Sequence, residues 1–343
     1  MTRFLTIICI LFLLWTGRSI LIPILIAGFA WYLINAIYEY YRRIFPAKPT
    51  KKIYDFLFNC LAYITSFATV CLVFILFVTQ IKPMFTELLG ALPGLQVKLT
   101  ELANYLYNSI GLTFDAKFLP NITKIATNIG TSIAGIATSF GMILVYMVFM
   151  FVEQSTFNDK FAAMFPNKRQ SKKLRYILDS IDTNMKKYLF IKTMISVVTG
   201  LASFVWLYLI GVEFAGIWAF IVFVANYIPT IGAIVACGLP ILYTLVTAPT
   251  LQTPILTAAG LIGIQILLGN IIEPKLTGKT LNLSTLAILI NLVFWGTIWG
   301  IAGMFFSVPI LVAILIITAQ FDSTRWIAVL LSEDGIIPDK NED

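Results

Sequence analysis

The chain has no histidine among its 343 residues. That removes the side chain that most often serves as acid–base near neutral pH and as a metal ligand. Four cysteines, Cys9, Cys60, Cys71 and Cys237, stand apart in apolar stretches with no Cys-x-x-Cys pair, so neither a zinc site nor a disulfide framework is indicated. Charge is scarce too: Asp, Glu, Lys and Arg make up 12% of the sequence, against roughly 25% in ordinary soluble domains. The remaining Ser, Tyr, Lys and carboxylate side chains form no catalytic constellation. No catalytic residue, metal ligand or cofactor is assigned.

Apolar residues take up the space, at 59% of the chain with a mean hydropathy of +0.89. A water-soluble fold of this size could not hide so much apolar surface, so lipid is the solvent for most of it. This excludes a cytosolic metabolic enzyme. The net charge of +7 belongs to loops that face an anionic leaflet. Those bases line no folded groove or aromatic platform, so the bilayer, not nucleic acid, is the expected partner.

Residues 4–16 and 19–38 are apolar runs broken by Gly17, Arg18 and Ser19. No small-residue cleavage site follows the first run, which favours a retained anchor over a signal peptide. With a third run at 56–80, residues 1–80 are expected to hold three membrane helices around the basic loop 39–55. An amphipathic extracytoplasmic region, 81–130, precedes a fourth span at 131–152. A basic helical block at 153–188 leads into a fifth span at 189–211. Further on, apolar segments at 214–225, 232–248, 254–272, 284–297 and 299–320 complete a transport core over 189–320, and 321–343 form an acidic tail. Several segments are too short for a full crossing, and broken helices persist in a membrane only where protein or a watery cavity covers their freed backbone. The expected fold is an all-α polytopic membrane protein with some broken or re-entrant C-terminal helices.

Five basic residues in 39–55 and eight in 153–188 outnumber their acids, whereas 81–130 is near balance. Positive loops stay in the cytoplasm. Counting spans then puts both termini there.

Polar residues inside apolar segments are the functional candidates, because lipid makes unpaired polar groups costly. The first set is Asn226-Tyr227-Ile228-Pro229-Thr230-Ile231-Gly232, where proline interrupts the ladder and glycine permits a tight return. It reads either as a solute passage with freed carbonyls near Asn226 or as a plain loop capped by Asn226. The second set is Gln265, Gly269, Asn270, Glu273, Pro274, Lys275 and Gly278. Gln265 and Gly269 share a helix face, and Pro274 is expected to turn the chain. Glu273 and Lys275 either take part in transport or simply meet water at an interface. Gly278-Lys279-Thr280 imitates the end of a phosphate-binding loop, but residue 273 is Glu where that motif needs Gly. Gly296, Gly300 and Gly303, followed by Pro309, read as close packing, with Asn291 one turn earlier in support. Lys192 is expected to snorkel to the cytoplasmic surface, and Glu213 closes the outer end of the fifth span. A membrane enzyme and a structural or regulatory protein are the rival classes; polar residues in broken segments favour a transporter.

Taken together, the stretches 188–200, 226–232, Gln265-Ile-Leu-Leu-Gly-Asn-Ile-Ile-Glu-Pro-Lys-Leu-Thr-Gly278 and 294–309 resemble the autoinducer-2 exporter family of bacterial inner-membrane proteins, the PerM-like permeases. The resemblance implies about eight membrane helices and a homo-oligomer, with a pentamer as one form. It also implies export of a small polar solute such as autoinducer-2, with exchange of a monovalent cation, sodium or lithium, for protons as the alternative. It singles out Asn226, Gln265, Asn270 and Glu273 as pathway or substrate contacts. Pro229, Gly232, Gly269, Pro274, Gly278 and Pro309 become breaks or hinges. Many members place a glutamate where Gly269 stands, and its absence here favours an organic solute.

Overall fold

A computed structural model describes residues 2–44, 139–164, 168–277, 282–335 and 337, with scattered positions between 61 and 138. The expected span at 56–80, the region 81–130, most of loop 39–55, Gly278 and the tail beyond 337 lie outside the described residues apart from those positions. Every regular element among the described residues is a helix. They are α1 (Thr2–Thr16), α2 (Arg18–Ile44), α3 (Phe140–Met164), α4 (Lys168–Leu209), α5 (Ala215–Ala225), α6 (Ile231–Thr247) and α7 (Gln252–Gln265). A π-helical segment (Ile266–Ile272), α8 (Glu273–Thr277), α9 (Thr285–Ala319) and α10 (Arg325–Leu331) follow. Among the described residues, four segments are long and apolar enough to cross a membrane: Arg18–Glu39, Ser171–Leu209, Gln252–Leu276 and Thr285–Ala319.

The chain divides into two compact units. The first holds α1–α3, α4 as far as Lys192, α9 and α10; the second holds α4 from Thr193 and continues to Lys275.

In the first unit, α1 and α2 are separate helices that meet at Gly17, where the sequence places the break. The Gly17 N–H donates to Leu13 O at 2.8 Å, which closes the last turn of α1, and the Leu21 N–H donates to Gly17 O at 2.9 Å, which opens α2. The core joins Ile177, Met185 and Leu189 of α4 to Leu311, Val312 and Leu315 of α9. Phe29 of α2 sets its ring edge-on against Phe305 at 5.2 Å. The Trp31 indole of α2 donates to Gln154 Oε1 of α3 at 3.0 Å. Lys192 is buried, at 7% exposure, so its side chain does not reach the surface as a snorkelling lysine would.

In the second unit, Leu207, Ile217, Trp218, Tyr243 and Leu261 from four helices form one cluster. Gly260 of α7 lies where any Cβ would overlap the Trp206 indole, and that indole donates to Leu256 O at 3.0 Å. Within the second unit, α4 buries its hydroxyls beside apolar residues and leaves other apolar side chains outside. Ser196, Thr199 and Ser203 are buried, while Val198, Leu201, Val205 and Leu209 are exposed. Water would favour the reverse; a hydrocarbon solvent favours this one.

Candidate transport site

Two short reversals concentrate the polar groups, one in each unit. In the second unit α5 and α6 form a helical hairpin whose tip is 226–230. The last turn of α5 tightens: the Tyr227 N–H donates to Val224 O at 3.2 Å and the Ile228 N–H to Ala225 O at 2.8 Å. Pro229 has no N–H to continue the ladder, and Thr230 adopts φ 59°, an uncommon left-handed value for a β-branched residue. Gly232 then passes so close to α5 that a Cβ there would overlap the Ala225 carbonyl. Glycine is required at 232 for this approach, not for an unusual φ.

The tip is fastened to α4 by side chains. Asn226 is buried, and its Nδ2 donates to Ser196 Oγ at 3.1 Å. The Tyr227 hydroxyl donates to Thr193 Oγ1 at 2.9 Å. Towards the far end of α6, the buried Tyr243 hydroxyl donates to Glu213 Oε2 at 2.8 Å. Sequence reasoning missed Thr193 and Ser196 as partners. The available signal was the recurrence of Lys192, Ser196, Thr199 and Ser203 at helical spacing in an otherwise apolar run.

The second candidate set stands differently from expectation. Gly269 and Pro274 mark no break, because the chain stays helical from Gln252 to Thr277. It widens into a π turn over Ile266–Ile272 just before the proline. A proline ring clashes with the carbonyl four residues earlier in an α-helix, and a wider turn relieves that clash. The shared face of Gln265 and Gly269 is present: a Cβ on Gly269 would lie 2.8 Å from Gln265 Nε2, so the amide folds over the glycine. Gln265 and Glu273 are half-buried, and Asn270 is exposed.

The other reversal lies within α9. Gly300 has φ 63° and ψ −139°, a backbone conformation essentially reserved for glycine. Asn291 Nδ2 donates to Ser307 O at 2.6 Å, although sixteen residues of straight helix would separate them by about 24 Å. The chain therefore folds back at Gly300 into two antiparallel limbs. A Cβ on Gly303 would overlap the Trp295 carbonyl, and one on Gly296 would press Met304. The three glycines thus pack one hairpin against itself, with Asn291 as the cross-link. Asn291 Oδ1 also accepts from the Trp295 indole at 3.1 Å, and the Trp299 indole, next to the tip, donates to Leu14 O at 2.9 Å. Pro309 sits inside the returning limb without ending it.

A family model described as the AI-2E family transporter matches residues 4–322. The chain belongs to the AI-2E transporter family. Among its relatives, the AI-2 transport protein TqsA of Escherichia coli is 33% identical over 240 residues, 70% of this chain and 65% of TqsA. The chain thus spans just under two thirds of TqsA's length. A Haemophilus influenzae protein named as a transport protein is 30% identical over 259 residues, 75% of this chain and 73% of its own. More distant is a sodium-lithium/proton antiporter of Halobacillus andaensis, 26% identical over 203 residues, 58% of this chain and 56% of its own. As an AI-2E family chain with membrane-spanning helices, this is a multi-pass membrane protein.

Proposed function

We propose that the protein exports a small, polar, uncharged solute, with autoinducer-2 as the first candidate, and that the α5–α6 hairpin tip lines its passage. The observation that carries this reading is the buried pairing of Asn226 with Ser196 beside the prolyl break. A polyhydroxylated solute can replace such neutral hydrogen bonds one for one as it passes. In this reading Gln265, Asn270 and Glu273 on the π-widened helix offer further contacts, and movement of the hairpin opens and closes the route. The Gly300 hairpin is read as re-entrant, within a fold of about eight membrane-embedded helices. The protein works as a homo-oligomer, with a pentamer as one form, and both termini face the cytoplasm.

The TqsA relationship supports autoinducer-2 over cation exchange, as does a candidate site built mainly from amides and hydroxyls. Proteoliposome flux of autoinducer-2 and of sodium, in wild type and in Gln265→Ala and Glu273→Gln, tests it. The expected result is autoinducer-2 flux reduced in Gln265→Ala, with no sodium-dependent proton flux. Sodium-dependent proton flux that disappears in Glu273→Gln would establish the exchanger instead.

A further inference from the structure

A cleft of about 450 Å³ opens in the first unit between α2 and α4. Ala36 and Glu39 line it from α2, and Asp182, Lys186, Lys187 and Phe190 from α4. Lys186 Nζ bridges the helices, 3.0 Å from Glu39 Oε1 and 2.9 Å from Asp182 Oδ2. We propose that this cleft binds the phosphoethanolamine headgroup of a membrane phospholipid. The proposal does not depend on which solute is transported.

Position gives the first argument. The apolar segment of α2 ends at Glu39, and the charged part of α4 gives way to apolar sequence just after Lys187. Both walls therefore change from charged to apolar within the cleft. Phe190, 44% exposed, and Ala36 stand on the apolar side, where a glycerol backbone and acyl chains would leave.

Charge gives the second. Two carboxylates and two ammonium groups sum to zero. A bare anion would be repelled by Glu39 and Asp182, and a simple cation by Lys186 and Lys187. A zwitterion satisfies both halves. The phosphate meets the lysines and the ammonium meets the carboxylates, whose lone pairs are not exhausted by their contacts with Lys186 and, at Asp182, with the Tyr32 hydroxyl as well. A primary ammonium donates three hydrogen bonds, whereas a choline group donates none, so the site selects ethanolamine over choline. The volume lies within the range of small-molecule sites and exceeds what one ion needs.

The test is native mass spectrometry of the full-length protein in detergent, titrated with four probes. These are the dihexanoyl lipids of phosphoethanolamine, phosphocholine and phosphoglycerol, and chain-free glycerophosphoethanolamine. The ethanolamine lipid is expected to bind roughly ten-fold tighter than the choline lipid, the scale of a charge-assisted hydrogen bond. Glu39→Gln is expected to erase that preference and Lys187→Ala to weaken both lipids alike, with an unchanged circular dichroism spectrum certifying the fold. Equal binding of the choline lipid, tightest binding of the phosphoglycerol lipid, a preference surviving in Glu39→Gln, or unchanged binding of both lipids in Lys187→Ala would overturn the proposal. Equal binding of the chain-free headgroup would overturn its assignment to a lipid.

Discussion

At the scale of residues, the account rests on a few atoms with no room to move. Gly232→Ala puts a methyl group into the Ala225 carbonyl, and overpacking of this kind costs roughly 1–3 kcal/mol. A lowered thermal midpoint in detergent checks it; an unchanged midpoint would mean the hairpin limbs separate easily. Gly300→Ala tests another property, because a side chain at φ 63° with ψ −139° is strained whatever the space. About 1–3 kcal/mol is expected there, read in the same unfolding assay. Trp299→Phe removes the indole donor to Leu14 O but keeps most of the ring volume. Roughly 1 kcal/mol of stability should be lost, and double-mutant cycles are not needed because a main-chain acceptor is left behind.

Helical elements show what periodicity conveys and what it hides. Glycine and proline punctuation marked both reversals, and the Asn226–Gly232 break is where the structure turns. The same signals misread one place. Pro274 reads as a stop because one-dimensional spacing assumes an α-helix, yet a wider turn accommodates the ring. Gly17 marks a true break, since α1 ends and α2 begins on either side of it. Gly296, Gly300 and Gly303 were legible as close packing but not as one hairpin packing on itself. A GxxxG spacing says that something comes near, not that it is the same chain returning. The hairpin tip's partners were hidden for a related reason: Ser196 and Thr193 are small, common residues whose meaning comes from burial against Asn226 and Tyr227.

Across the molecule, lipid as the solvent explains composition and packing together. Polar side chains turn inward along α4 beyond Thr193, and apolar ones cover its outer face. With little water to expel, cohesion depends on close backbone approach and on internal hydrogen bonds such as Asn291 to Ser307 O. The charge asymmetry of the loops also has a structural counterpart. The Lys186–Glu39 contact brings the end of α2 and the basic part of α4 to one end of the first unit. Family membership, helical class and membrane location were legible from sequence; the partners inside each hairpin needed coordinates.

The most direct measurement is autoinducer-2 efflux from proteoliposomes carrying Asn226→Ala beside wild type, at matched insertion and thermal stability. The account predicts that efflux falls at least about ten-fold, because the variant removes the hydrogen-bonding group that the solute replaces. Wild-type efflux from a correctly folded Asn226→Ala protein would contradict it.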